Sequence, residues 1–367
     1  MDYQIVSQQE LLVEVCQQAA TKPVVMLDTE FVRTRTLFPM LGVVQMYDGD
    51  TLSLIDCVAI KDLAPLWSLL ANKNIKKVLH AASEDLEVFL HESGHLPVNM
   101  TDTQVMAAFL GYPVSSGFAR LVEDFLSVVL DKGASRTDWL ARPLTKIQQD
   151  YAAADVFYLY PLYFKLLEKI EEKDLMQAVD EECAYHIEKK VQPIDLDVLY
   201  KRVKQAWRLE PQQLAVLRAL CKWRYQQAKK RNLALNFVVR ENDLWTLAYY
   251  QPQEIEKLTE LNINEYVIRR YGQQLISLVK AVQQSSRLDD PDKIVRLIDN
   301  PQYKNEMTHL KKKISSKANE SHLVPELIGS KKLLHEYLKW KWFTNKNPQQ
   351  KPLLMRGWRN RLLGLDS

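Results

Sequence analysis

Apolar residues in the first part of the chain fall in short, dense runs separated by polar turns, and these runs read as strands. PVVMLDTE (23–30) and LGVVQMYDG (41–49) have the length and β-branched content of buried strands. TLSLID (51–56) follows as the next hairpin arm, and IKKVLH (75–80) is a further strand. A helical pattern then runs from Ser83 to about Glu92, and VNMTDT (98–103) is a short strand leading into QVMAAFL. From Thr145 onward, LTKIQQDYAAADVFYLYPLYFKLLEKI repeats its apolar residues at helical spacing, with Thr145 as the expected N-cap. Pro161 lacks an N–H and crowds the preceding turn, so it is expected to kink that helix or end its first part. Strands mixed with helices on one sheet predict an α/β layer structure.

After about residue 205 the strand signals stop. QLAVLRALCKWRYQQAKKRN, DLWTLAYY, PQEIEKLTEL and EYVIRRYGQQLISLVKAV all carry helical spacing, separated by Asn, Pro or short polar turns. SSRLDDPDK (285–293), with its Pro and clustered charge, divides this region from a looser helical scheme that runs to the end. The expected organisation is an α/β domain over 1–190, a linker over 191–207, a helical domain over 208–284 and a second over 292–367. A chain of 367 residues is long enough for two or three domains.

Composition adds one thing to that picture. The net charge of +3 conceals an asymmetry: 17 Lys and Arg face 30 Asp and Glu over residues 1–200, whereas 32 face 16 over residues 201–367. The halves therefore carry −13 and +16. An acidic front and a basic rear suggest cation binding in one and polyanion binding in the other. No apolar run reaches the ~18–20 residues needed to span a bilayer, and the N-terminus has no signal-peptide pattern. Cys16, Cys57, Cys183 and Cys221 are far apart and form no C-x-x-C pair, which points to reduced thiols in a cytosol.

Three stretches carry candidate chemistry. Asp28 and Glu30 lie two residues apart at the end of an apolar strand, so they share a face. Carboxylates beside a core strand need compensation, either from a divalent cation or from basic partners such as Arg33 and Arg35. Asp85 stands in the first turn of a helix that follows a strand, where acids also serve simple capping and dipole stabilisation. His80 is a conceivable ligand but fits a hydrogen-bonded structural residue better. Tyr151 and Asp155, at i and i+4, point the same way from one helix, and the three alanines between them keep that surface small.

The order of these motifs resembles the DEDD superfamily of 3′→5′ exonucleases, in its tyrosine-containing branch. LDTEFVRTRT (27–36), HAASEDLEVF (80–89) and SRTDWLARPLTKIQQDYAAAD (135–155) are similar to the bacterial ribonuclease D family, and the downstream half resembles HRDC modules, most clearly in NFVVRENDLW (236–245). His80 and Glu84 stand where the broader superfamily has Asn and an aromatic residue, which fits the ribonuclease D subgroup.

The resemblance implies a ribonuclease H-like exonuclease domain, a mixed sheet flanked by helices, followed by two all-α HRDC-type domains. It implies a cytoplasmic, monomeric enzyme that removes 5′-mononucleotides from RNA 3′ ends, with precursor tRNA and other small RNAs as partners and no membrane. It also implies two divalent cations, Mg²⁺ or Mn²⁺, on an all-oxygen ligand set. Asp28 would bridge both ions, Glu30 and Asp155 would complete the first, and Asp85 would support the second through water. Tyr151 would orient the attacking water, because a phenol of pKa ~10 is a poor base near neutrality. Arg33, Arg35 and Gln45 are the expected substrate contacts. Trp139, Arg142 and Pro143 are expected to shape the loop that presents the Tyr151 helix.

In the rear half, basic residues interleaved with tryptophan (Lys339-Trp340-Lys341-Trp342, Arg356-Gly-Trp358-Arg359) suit phosphate contact with base stacking. The alternatives are a DNA-directed 3′→5′ exonuclease and a non-catalytic RNA-binding scaffold. The chain has no G-x-x-x-x-G-K-[ST] helicase loop, which counts against the first, and an intact acidic set, which counts against the second.

Overall fold

The structure is a computed structural model that describes residues 1–131, 133, 137–344 and 346–365. Ser135 and Arg136, at the start of the third motif stretch, lie outside the described residues, as do Asp366 and Ser367. Strands β1 (Gln4–Val6), β2 (Val24–Val32), β3 (Met40–Tyr47), β4 (Leu52–Asp56), β5 (Lys76–Leu79) and β6 (Met100–Asp102) form one sheet in the order β1-β4-β3-β2-β5-β6. The hairpin partners β2–β3 and β3–β4 are antiparallel, and β1–β4, β2–β5 and β5–β6 are parallel. The mixed sheet expected from the motifs is therefore present.

The helices of the front part are α1 (Gln9–Ala19), α2 (Ala64–Ala71), α3 (Ser83–Ser93), α4 (Thr103–Phe109), α5 (Phe118–Leu126), α6 (Lys146–Glu172) and α7 (Met176–Val191). The rear part contains α8 (Pro211–Arg231), α9 (Leu235–Val238), α10 (Glu241–Tyr250), α11 (Ile255–Glu260) and α12 (Glu265–Gln284). It ends with α13 (Tyr303–Ser321), α14 (Pro325–Gly329), α15 (Lys331–Phe343) and α16 (Gly357–Leu363). Among the described residues no helix is long and apolar enough to cross a membrane.

Two compact units result. One comprises Met1–Val32, Pro39–Gln192 and Pro301–Ser367; the other comprises Arg33–Phe38 and Pro193–Asn300. In the first, Val24–Leu27 of β2 are buried, as a strand covered on both faces must be. Helix α6 covers one of those faces: Tyr47 of β3 packs its ring against Phe157 and Tyr160, with centroids 5.9 and 5.3 Å apart. Thr145 caps α6 in a reciprocal box with Gln148. The helix does not end at Pro161 but continues to Glu172, because Leu159, Leu162, Tyr163, Leu166 and Ile170 carry one buried stripe past it.

The final helical segment belongs to the same unit as the sheet. Trp358 of α16 lies edge-on to Phe109 of α4, with centroids 4.9 Å apart, and Arg359 forms a buried ion pair with Glu182 of α7. Arg359 also donates to the carbonyls of Leu327 (2.8 Å) and Ile328 (3.1 Å), and Trp358 Nε1 donates to Glu182 Oε2 (3.1 Å). A buried pair is tolerable only when its remaining polar positions are filled in this way.

These contacts correct one expectation. Trp340 and Trp358 are buried, Trp340 donates to Asn347 O at 2.8 Å, and Lys341 pairs with Glu306, so those tryptophans offer no face to a base. Helical spacing places Trp340 on the core face with Leu333 and Tyr337.

In the second unit, α8, α10 and α12 enclose a core that includes Leu214, Leu217, Leu244, Leu247 and Leu275. Asn232, which follows Lys229-Lys230-Arg231, takes the left-handed cap conformation, as its sequence position predicts.

Candidate active site

Strand alternation puts Asp28 and Glu30 on one face of β2. Their register partners on β3 are Gln45 and Val43, which share the face of Tyr47 and thus look toward α6. One turn of α6 supplies Tyr151 and Asp155 to that same space, with Tyr151 hydrogen-bonded to Asp155. Oxygens of Asp28, Glu30 and Asp155 lie within 4.8 Å of one another, and all three residues are half-buried. Ala152 and Ala153 are fully buried against the sheet, so the small surface between Tyr151 and Asp155 is what lets α6 approach.

Asp85 arrives from α3 and is buried. Its carboxylate accepts the hydroxyl of Thr29, the residue between Asp28 and Glu30. It also accepts its own backbone N–H in the first turn of α3, beside Glu84, while the N-cap itself, Ala82, makes no side-chain bond. Asp102 instead accepts the N–H groups of Ala81 and Ala82, both at 2.9 Å. His80 uses both ring nitrogens within the fold, on Thr103 Oγ1 (3.0 Å) and Ser116 O (3.2 Å), which is the structural role its position suggested.

The electrostatics follow from crowding acids in a recess. Burial raises the Asp28 carboxyl well above the usual range, and Asp85, Asp155 and Glu30 raise it further. Burial, with Asp155 and Asp85, pushes Glu30 up to about 9. Burial raises Asp85 to about 6, against the opposing hydrogen bond from Thr29. It raises Asp155 to about 7, with Tyr151 opposing and Asp85 adding. Burial, reinforced by Asp155, Glu30 and Asp28, also pushes the Tyr151 phenol upward, so it remains a protonated donor at neutral pH. Among the described residues none of the four carboxylates pairs with a lysine or arginine. A cluster that disfavours its own charge, made only of oxygen donors, fits hard divalent cations.

The loop before α6 is clamped by Arg142. Its guanidinium donates to both carboxylate oxygens of Asp56 (2.7 Å each), to Gly42 O (2.8 Å) and to Trp139 O (2.8 Å). The Arg142–Pro143 peptide is cis. Trp139 is buried, with its ring 6.2 Å from that of Tyr151. Gly42 leaves room for this loop, since a Cβ there would sit 2.4 Å from Trp139 O. Trp139 and Arg142 thus shape the loop as expected.

The expected substrate contacts divide between the two units. Arg33 and Arg35 belong to the second unit, where Arg33 donates to Leu37 O and Arg35 lies 5.3 Å over the Phe237 ring. Gln45 does not line a surface. It is fully buried opposite Asp28, and neither amide atom has a hydrogen-bond partner. Two residues that the motifs did not single out hold the site, Thr29 and Asp102. Thr29 stands between two motif residues and Asp102 lies outside the motifs, and only three-dimensional pairing shows what they bond.

Comparison with known proteins agrees with this geometry. Residues 3–171 match a family described as 3'-5' exonuclease, residues 213–279 match the HRDC domain, and residues 301–366 match the ribonuclease D C-terminal HRDC domain. The chain is 43% identical over 363 residues to ribonuclease D of Serratia proteamaculans, covering 99% of this chain and 97% of that protein. The crystal structure of Escherichia coli RNase D, an exoribonuclease involved in structured RNA processing, superposes with a TM-score of 0.95 at 40% identity. That superposition covers 99% of this chain and 97% of the other. The catalytic core of RRP6 from Trypanosoma brucei, 22% identical with a TM-score of 0.62, shares the fold over 77% of this chain and 80% of that one.

Proposed function

We infer the details of the reaction from one premise: the chain belongs to the bacterial ribonuclease D family and is a 3′→5′ exoribonuclease, a hydrolase that acts on RNA and depends on divalent metal. Its physiological substrates on our reading are 3′-extended tRNA precursors and other small structured RNAs, trimmed in the cytoplasm by a monomer to 5′-mononucleotides. The chain's modules on this reading are the exonuclease domain 1–190, a linker 191–207, and HRDC-type domains 208–284 and 292–367.

Asp28, Glu30, Asp85 and Asp155 would hold two ions, Mg²⁺ or Mn²⁺. The ions would neutralise the scissile phosphate, activate water and stabilise the departing 3′ oxygen. Asp28, central in the cluster, would serve both positions. Asp85, fixed by Thr29 outside the close triad, suits a longer-range role. Tyr151 is held by Asp155 and stays protonated, so its hydroxyl orients the water and does not remove its proton. Arg33 and Arg35 are our candidates for contact with the substrate backbone.

The observation that carries this reading is the approach of the Asp28, Glu30 and Asp155 oxygens to within 4.8 Å, with no ion pair to a lysine or arginine among the described residues. The test is incubation of a 3′-extended tRNA with the protein, with and without EDTA, followed by identification of the released nucleotides. Stepwise loss of 5′-mononucleotides from the 3′ end, abolished by EDTA, is expected. Internal cuts, release from the 5′ end or resistance to EDTA would overturn it.

A further inference from the structure

Along one side of the sheet-bearing unit, α7 and α15 are separated by a recess of about 240 Å³ whose lining includes Tyr185, Lys189, Ser330 and Lys332. A groove of about 390 Å³ runs on along α15, lined by Lys331, Lys332, His335, Glu336 and Lys339. Lys332 lines both, so the two are continuous. Lys331, His335 and Lys339 recur every four residues and form one stripe.

This arrangement is costly without a ligand. Lys189 and Lys332 both line this recess, two cationic side chains close enough to disfavour each other's charge. Burial, then Lys332, holds the Lys189 ammonium below its ordinary pKa. Lys331 and Lys332 also occupy the first turn of α15, which has no acidic residue to offset the positive helix end. Burial, with Lys331 and Lys339, likewise lowers His335, whose Nε2 meets Tyr303 Oη at 2.9 Å.

Two other lysines of the C-terminal helices are neutralised locally, Lys317 by Glu320 (2.7 Å) and Lys341 by Glu306 (2.9 Å). Lys189, Lys331, Lys332 and Lys339 form no ion pair among the described residues. Glu326 and Glu336 are the acids in the two linings not already bound, since Glu182 is taken by Arg359. All four lysines are exposed.

We propose that Lys189, Lys331, Lys332 and Lys339 form a track for the phosphodiester backbone of RNA on the α7–α15 side of the catalytic unit. Eight residues of helix separate Lys331 from Lys339, about 12 Å along the axis. That length takes successive phosphates and exceeds one small anion. The track deepens the reading that this chain acts on structured RNA, because it engages backbone away from the reacting 3′ end.

The test is the salt dependence of Kd for a 3′-extended tRNA, measured with EDTA present so that binding is read without turnover. Lys189→Gln/Lys332→Gln is compared with Lys165→Gln/Lys169→Gln, a charge-matched control on the outer side of α6. Each lost phosphate contact lowers the slope of log Kd against log salt by about 1, so the first variant should lose about 2 and the control none. Lys189→Arg/Lys332→Arg should retain the slope. An unchanged slope in the glutamine variant, or an equal loss in the control, overturns the track and leaves the exonuclease reading intact. Failure of the wild-type protein to hydrolyse a short single-stranded RNA with Mn²⁺ would instead sink the exonuclease reading.

Discussion

Removing one carboxylate from the acidic cluster should make the metal-free protein more stable while abolishing its chemistry. The perturbation is Asp155→Asn, which keeps an oxygen for the Tyr151 hydrogen bond and deletes the charge. Asp155 is raised from an ordinary 3.8 to about 7. At ~1.36 kcal/mol per tenfold change, that gap corresponds to about 4 kcal/mol. Solvent reaching a half-buried carboxyl leaves about half of this, ~2 kcal/mol.

The sign follows from proton linkage. A carboxyl whose folded pKa is raised binds protons more tightly in the folded state, so its contribution is fully present below pH ~4 and is lost as pH climbs through about 7. The asparagine variant has no such loss. At ~2–4 °C per kcal/mol, it should melt about 4–8 °C above wild type at pH 8 in EDTA, and the difference should vanish near pH 4.

Saturating Mg²⁺ or Mn²⁺ should reverse the order. A ligand at a thousand times its Kd stabilises the folded state by ~4 kcal/mol, and only the wild type keeps the full site. Differential scanning calorimetry across pH 4–9, with and without metal, measures both effects. A variant less stable than wild type at every pH in EDTA, with no reversal on adding metal, would refute the argument that burial, reinforced by mutual repulsion, disfavours charge in this cluster.

Two further substitutions separate chemistry from architecture. Tyr151→Phe should keep metal binding, read by Mn²⁺ titration, and lower kcat by about a hundredfold or more, since an oriented proton donor is removed and no ligand is lost. Parallel loss of metal affinity and kcat would make Tyr151 structural. Arg359→Ala should leave Glu182 buried and unpaired and cost about 3–5 kcal/mol, measurable by urea denaturation. A cost under ~1 kcal/mol would mean that α16 is not anchored through this pair.

Local geometry made much of the site legible. Alternation in a strand decides that Asp28 and Glu30 share a face, and helical periodicity decides the same for Tyr151 and Asp155. The cap at Thr145 and the left-handed turn at Asn232 follow from side-chain chemistry acting over three or four residues. The three residues of β1 carry too little pattern: that strand owes its existence to parallel pairing with β4, about 49 residues away in sequence.

The chain's own order of residues thus determined which carboxylates are presented together, which helix carries the phenol, and where the strands give way to helices. Tertiary structure alone decided that Thr29 fixes Asp85 and that Gln45 lies sealed behind Asp28. It also decided that Trp340 and Trp358 turn inward, and that Lys189 and Lys332 line one recess. The physical reason is range. Periodicity and capping are set by neighbouring backbone and read directly from sequence, whereas burial and pairing depend on which distant surfaces exclude water together.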